Sequence, residues 1–241
     1  PQFDDTQVRT ELDKLGAVYR RYDSEDELTA AVAEELANGK IVGHFAGRAE
    51  FGPRALGHRS ILGDPRNPEM QSRMNLAVKF RESFRPFAPS VIEGKQSDYF
   101  ELEAESPYML LTANVRESRR RPMTAEQEKL TGIDKLKVPR SELPAITHVD
   151  YSARVMTVAA DRSPRFHAIL ETFERRTGCP VLLNTSFNVR GEPIVNTPGE
   201  AYQCFMATGM DVLVVGNFLL QKSAQPPMEG AAEHRQNFEA D

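Results

Sequence analysis

Between residues 47 and 89 the sequence sets Arg48, Arg54, Arg59, Arg66, Arg73, Lys79, Arg81 and Arg85 against Glu50, Asp64, Glu69 and Glu82. Eight cations against four anions make this stretch positive inside a chain whose formal net charge is −5. Guanidinium groups bind phosphate and carboxylate through paired N–H donors, and Gly47, Gly52 and Gly57 let backbone come close to a ligand. The chemistry on offer is anion recognition. The stretch is not a Walker A loop, since no GK[ST] follows, and not a GxGxxG turn. The same arginines could instead lie on a solvated face, paired with Glu50, Asp64 and Glu82, and composition does not choose.

Other residues invite chemistry too. His44, His148 and Asp150 are metal-ligand types, and His148 and Asp150 alternate on a strand-like segment that would point both one way. Two such ligands make an incomplete site. The sequence therefore assigns no metal and gives His148 a pocket-lining or hydrogen-bonding role. Asn184, Ser186 and Asn188 end the apolar run Val181-Leu182-Leu183, where α/β sheets present ligand contacts. Cys179 and Cys204 fit no metal or redox spacing and read as core residues. Tyr202, Phe205, Met206 and Met210 read as ordinary helix packing.

The elements that must hold these residues follow from periodicity and caps. Asp5 or Thr6 caps a first helix with Val8, Leu12 and Leu15 at helical spacing, ended by Gly16. Ser24 and Glu27 form a capping-box pattern for a second helix, striped by Leu28, Val32 and Leu36. Residues 41–46 then read as a buried strand. A helix over 68–78 follows, Pro86 and Pro89 break what comes next, and 107–115 reads as a strand. Residues 116–144 form an Arg-rich surface excursion with a short helix near 124–130. The last third alternates strands at 155–158, 181–184, 211–215 and 217–220 with helices at 164–176 and 197–208.

This order predicts an α/β, or mixed α+β, architecture. Residues 223–241 read as a polar, disordered tail. At 241 residues the chain can bury a core without disulfides or metals. It has no apolar run of about 18 residues, so no membrane partner is expected. Two cysteines and no signal peptide point to a reducing, cytoplasmic setting, and the acidic total argues against a nucleic-acid partner. An opening without Met fits a domain of a longer protein.

Longer segments carry a resemblance. GRAEFGPRALGHRSILGDPR, NLAVKFRESFRPFAPSV, HVDYSARVMTV and CPVLLNTSFNVRGEPIVNTPGEAYQCF occur in this order. From about Phe3 to Lys222 the chain is similar to the carboxy-terminal half of NodU/CmcH-type O-carbamoyltransferases, which act on nodulation factors, cephems, aminoglycosides and ansamycins. The resemblance implies a YrdC-like domain over 1–222, a twisted mixed open sheet flanked by helices. In that family this half converts carbamoyl phosphate and ATP, with Mg²⁺, to carbamoyladenylate. A separate amino-terminal domain of actin-like fold, which binds Fe²⁺, passes the carbamoyl group to a hydroxyl, and nothing in this sequence matches it.

Carried over residue by residue, Arg54, Lys79 and Arg85 match the positions that hold carbamoyl phosphate and the adenylate phosphate. Arg154 and Arg190 match two more basic ligands, and Ser186, Asn188 and Asn184 would meet phosphate or carbamoyl groups. Arg85 is a stronger ligand candidate than Arg81. Arg48 lines the pocket or ties down its loop, and Arg66 beside Asp64 reads as structural. The implied partners are carbamoyl phosphate, ATP and the amino-terminal domain, with a homo-oligomer left open. Tyr151-Ser152 and Met156 depart from the family's usual small or polar residues, and the 116–144 excursion is longer than expected. Two other readings compete: a threonylcarbamoyl-adenylate synthase of tRNA modification, and a nucleotide-binding module without chemistry. The FGPRALG and FNVRGEP blocks favour the carbamoyltransferases.

Overall fold

Apolar runs such as Val181-Leu182-Leu183 and Val212–Val215 leave no polar face for water, so they demand a sheet covered on both sides. A computed structural model, which describes residues 1–228, shows this sheet. Its strands are β1 (Arg20–Arg21), β2 (Val42–Phe45), β3 (Arg59–Gly63), β4 (Ala88–Ile92), β5 (Leu111–Asn114), β6 (Ser152–Val158), β7 (Val181–Ser186), β8 (Val212–Val215) and β9 (Phe218–Gln221). The spatial order is β1-β9-β8-β2-β3-β7-β4-β6-β5. β2 with β8 and β4 with β6 run parallel, and the remaining pairs are antiparallel. The expected mixed, open α/β sheet is present.

The helices are α1 (Asp5–Lys14), α2 (Glu25–Ala37), α3 (Met70–Ala77), α4 (Gln96–Tyr99), α5 (Ala125–Glu128), α6 (Gly132–Leu136), α7 (Pro164–Thr177) and α8 (Pro198–Ala207). The stripe Leu28, Val32 and Leu36 of α2 is buried with Phe166, Ile169, Leu170 and Phe173 of α7, and these two helices pack on each other. Ion pairs Arg165–Glu25 and Arg176–Glu34 link them at the surface. Pro164 opens α7, and Gly178 closes it in the left-handed conformation at φ 74°. No helix among the described residues is long and apolar enough to cross a membrane.

Several expectations need correction. The cap of α1 is Asp4, not Asp5 or Thr6: its carboxylate accepts from the Gln7 amide at 2.8 Å and Gln7 Oε1 accepts from the Asp4 amide at 2.9 Å. Pro89 does not break the chain but lies inside β4. Ile92 donates its amide to the Pro180 carbonyl, so by strand alternation the amide that Pro89 lacks would face β6, where pairing begins only at Ser90. The strand expected over 107–115 shrinks to β5, because Met109 adopts φ 54°. In the 116–144 excursion, Arg116, Arg119 and Arg120 pair with Glu103, Glu142 and Glu101. The tail expected from 223 starts in an ordered way: Gln225 exchanges hydrogen bonds with the Val18 backbone, while 229–241 lie outside the described residues.

One turn in this frame is both left-handed and tightly packed. Gly57 sits at φ 103°, and a Cβ there would stand 2.3 Å from Phe166 Cδ1. Gly57→Ala should therefore cost about 2–4 kcal/mol of unfolding free energy, overpacking added to backbone strain. Gly16→Ala, at φ 64° in open space, should cost about 1–2 kcal/mol. Equal shifts in urea midpoint for the two variants would contradict the packing argument.

Candidate functional site

The sheet register gathers four segments at one place. Asn184 near the end of β7 stands opposite Leu62 on one side and Ala88 at the start of β4 on the other. Ser90 pairs with Met156, which brings Arg154 of β6 to the same end of the sheet. The loop from β2 to β3 adds Arg54. Together they enclose a cavity of about 180 Å³ whose polar lining is Arg54, Arg81, Arg154, Asn184, Thr185 and Ser186. No lining residue is a carboxylate.

Each cation has a local reason to be there. On β6, Ala153 and Val155 are fully buried, so alternation turns Arg154 to the opposite, cavity face. Its Nε is buried with no hydrogen-bond partner. Arg81 follows Phe80, a residue forced to φ 46°. Its Nε donates to Asn75 Oδ1 at 2.6 Å, and its guanidinium lies 5.0 Å from the Phe87 ring centre. Asn75, on α3, also donates to the carbonyls of Ser83 and Arg85 and so shapes the whole 80–86 turn. Phe80, Met109 and Tyr151 are the non-glycine residues with positive φ among those described. Met109 lines the cavity, and the other two lie one and three residues from Arg81 and Arg154. Backbone strain of this kind concentrates at functional sites.

Electrostatics mark the cavity as an unneutralised cluster. Burial and then the charge of Arg54 hold Arg154 below the usual arginine range. Burial and then Arg85 push Arg81 down to about 10, with Arg190 adding to the effect and Glu82 opposing it. Arg81 and Arg154 nonetheless stay charged at neutral pH.

The structure places the remaining candidates as follows. Lys79 is only 3% exposed and does not line the cavity. It lies behind the wall, where Nζ donates to the carbonyls of Ser186 at 2.5 Å and Asn188 at 2.8 Å, and to Asn188 Oδ1 at 2.8 Å. Burial pulls its ammonium down to about 7. Ser186 Oγ donates to Asn188 Oδ1, so lysine, serine and asparagine form one unit. Asn184 Nδ2 donates to the Ala55 carbonyl and to Ser90 Oγ, both at 3.0 Å, while its Oδ1 is buried without a partner. Arg85 and Arg190 are exposed outside the cavity, their charges acting on Arg81. Arg48 is exposed and lines no part of it.

His148 is half-buried and also off the cavity. Burial lowers its imidazole, Asp150 opposes and Arg154 assists. Residues 148–151 form a turn, with Asp150 Oδ1 accepting from the Ser152 amide and hydroxyl, so His148 and Asp150 do not share a strand face. His44 is buried, with its Nδ1 2.6 Å from the Gly57 carbonyl, which makes Nδ1 the protonated nitrogen. Arg66 is bound to Asp64, and both cysteines are buried free thiols. Among the described residues no three His, Cys, Asp or Glu side chains group as a metal site.

A larger space of about 640 Å³, mostly apolar, opens beside His44, His58, Phe3 and Phe166. Its one arginine, Arg165, is already held by Glu25, so the unpaired cations belong to the smaller cavity. Sequence reasoning ranked Arg81 below Arg85 and gave Asn75 and Thr185 no place. The available signal was Asn75 itself, a polar residue at a buried position of α3.

Known proteins add to this geometry. A family model described as "Carbamoyltransferase C-terminus" matches residues 33–222. An uncharacterized Synechocystis protein is 58% identical, the match covering 100% of this chain and 39% of that protein. Nodulation protein NolO of Bradyrhizobium diazoefficiens is 42% identical over 82% of this chain and 33% of its own length. The 3'-hydroxymethylcephem-O-carbamoyltransferase of Amycolatopsis lactamdurans is 36% identical, again over 82% and 33%. The chain thus spans well under half of these relatives. Among solved structures, full-length HypF in a phosphate- and nucleotide-bound form superposes with a TM-score of 0.50 at 17% identity, over 82% of this chain and 22% of that one, a likeness of fold.

The buried lysine predicts a pH-dependent affinity for anions. As pH rises through about 7, Lys79 loses its proton and the cavity loses one nearby positive charge. Sulfate, which does not titrate in this range, should bind with constant affinity below about pH 7 and several-fold more weakly above it. Lys79→Met should flatten the profile. Calorimetric titration that finds the wild-type profile flat would contradict this assignment.

Proposed function

The chain belongs to the carbamoyltransferase C-terminal family, and we propose that its cationic cavity binds carbamoyl phosphate and the phosphates of ATP to form carbamoyladenylate. The observation that carries this reading is the convergence of Arg54, Arg81 and Arg154 on one cavity without a carboxylate. Desolvated like charges repel, and only an anionic ligand turns that arrangement from a cost into a gain. At about 180 Å³ the cavity is smaller than the roughly 300–1,000 Å³ that drug-sized ligands occupy. It suits phosphate and carbamoyl groups, leaving adenosine on the adjoining surface near Arg85 and Arg190.

A second feature favours a carbamoyl group over bare phosphate. Arg154 Nε is a buried donor and Asn184 Oδ1 a buried acceptor, each without a partner. A carbamoyl group carries a carbonyl oxygen and an NH₂, which would complement both atoms once the side chains turn them toward the cavity.

The chemistry then needs charge stabilisation more than acid–base help. Water cleaves carbamoyl phosphate to carbamate and phosphate, with Arg54 and Arg154 holding the departing phosphate. A carbamate oxygen attacks the α-phosphorus of ATP, the bond to the β-phosphate oxygen breaks, and pyrophosphate leaves. Arg81 faces the charge that builds on the α-phosphate. Lys79 acts from behind by fixing Ser186 and Asn188. The lining offers magnesium no carboxylate, so it does not fit a protein-held Mg²⁺, and the ion would enter on the ATP phosphates. Transfer to an acceptor hydroxyl on a secondary metabolite is assigned to the further length present in the relatives, as an amino-terminal domain of the same enzyme.

Carbamate-dependent exchange of labelled pyrophosphate into ATP tests the reading. The wild-type chain should catalyse it with carbamoyl phosphate, and Arg54→Ala or Arg154→Ala should slow it by about 10²–10³-fold. Exchange that proceeds undiminished in both variants, or that requires threonine with bicarbonate instead, would overturn it.

A further inference from the structure

Glu50 was expected, if anything, to neutralise a neighbouring arginine as a surface ion pair. The structure turns it elsewhere. A single carboxylate oxygen, Oε1, accepts the backbone amides of Leu56 at 2.7 Å, His58 at 2.8 Å and Arg59 at 3.2 Å. Leu56 and His58 lie two and four residues after Arg54 on the loop that joins β2 to β3, and Arg59 opens β3. We propose that Glu50 is a positioning residue for Arg54, acting through this loop; the inference rests on the anion-site reading above.

The loop is held as a buckle with two halves. Glu50 collects its amides. The buried Arg59 collects its carbonyls, donating to Ala46 at 2.9 Å, His58 at 3.0 Å and Gly47 at 3.3 Å, with its guanidinium 3.4 Å from the centre of the Phe45 ring. Burial pushes Arg59 down to about 10, and the Glu50 charge opposes that shift. Pro53 restricts the backbone before Arg54, and the Ala55 carbonyl after it is held by Asn184. The Leu56 amide on Glu50 is the next fixed point along the chain. Immediately upstream of Arg54, Gly52 and Pro53 are exposed and Phe51 is 107% exposed, while the Ala49 amide further back donates to the Pro1 carbonyl. The direction of Arg54 is therefore set from its carboxy-terminal side, where Glu50 bonds three amides. A displacement of about 1 Å in a charged ligand contact is enough to lose much of its effect.

Charge alone makes the opposite prediction. Removing a carboxylate near an anion site should tighten anion binding, whereas loss of positioning should weaken it. The test is sulfate calorimetry at fixed pH on the full 241-residue chain, for wild type, Glu50→Ala, Arg54→Ala and the double variant. Each single change should weaken sulfate about tenfold, and Glu50→Ala should add less than about twofold once Arg54 is gone. Glu50→Gln keeps an oxygen acceptor but not the charge, and should lose only about threefold. The same cycle built on Glu50→Gln decides the matter where the alanine variant does not fold. Tighter binding in the Glu50 variants, or equal losses with and without Arg54, would overturn the inference alone. Wild-type affinity in Arg54→Ala would overturn the anion-site reading and this inference with it.

Discussion

Three guanidinium groups facing one small, carboxylate-free cavity is the constraint on which the other features of this domain depend. Bringing Arg54, Arg81 and Arg154 together costs desolvation and mutual repulsion, and a domain of this kind has only about 5–15 kcal/mol of net stability to set against it. Burial lowers both Arg81 and Arg154, and the Arg54 charge lowers Arg154 further, while Arg85 and Arg190 act on Arg81. A bound anion would return that cost by mass action, so the site and the stability of the fold are linked.

The surrounding architecture can be read as the means of holding that arrangement. Antiparallel β7 lies between β3 and β4, so its carboxy-terminal end meets their starts, and β6 runs parallel to β4. Four chain segments remote in sequence arrive together for that reason. Neutral side chains then fix the backbones from which the cations project: Asn75 for the 80–86 turn and Asn184 for the Ala55 carbonyl. Lys79, like Arg59 in the loop before β3, is a cation used as a brace. Its carbonyl partners are acceptors that a buried ammonium satisfies well, and they leave it turned away from the cavity.

Helices and apolar strands were legible because caps and periodicity are local properties. α2, α7 and α8 lie within a residue or two of their expected bounds. β3 and β4 were not legible. β3 begins with a buried arginine, and β4 contains a proline tolerated only because one of its neighbours starts a residue later. The candidate site divides the same way. Arg54, Arg154, Asn184 and Ser186, named from residue types and family resemblance, line one cavity. Which of Lys79, Arg81 and Arg85 faces the cavity is not written in their spacing, because the left-handed backbone at Phe80 decides which side chain faces inward. Sequence spacing carries no sign of a φ angle in a residue other than glycine.

A crystal structure of the chain with carbamoyl phosphate bound would test the central claim most directly. Phosphate oxygens are expected about 3 Å from the guanidinium nitrogens of Arg54, Arg81 and Arg154, with Lys79 still on the carbonyls of Ser186 and Asn188. Carbamoyl phosphate seated instead in the apolar space beside His44, with those three guanidinium groups untouched, would contradict it.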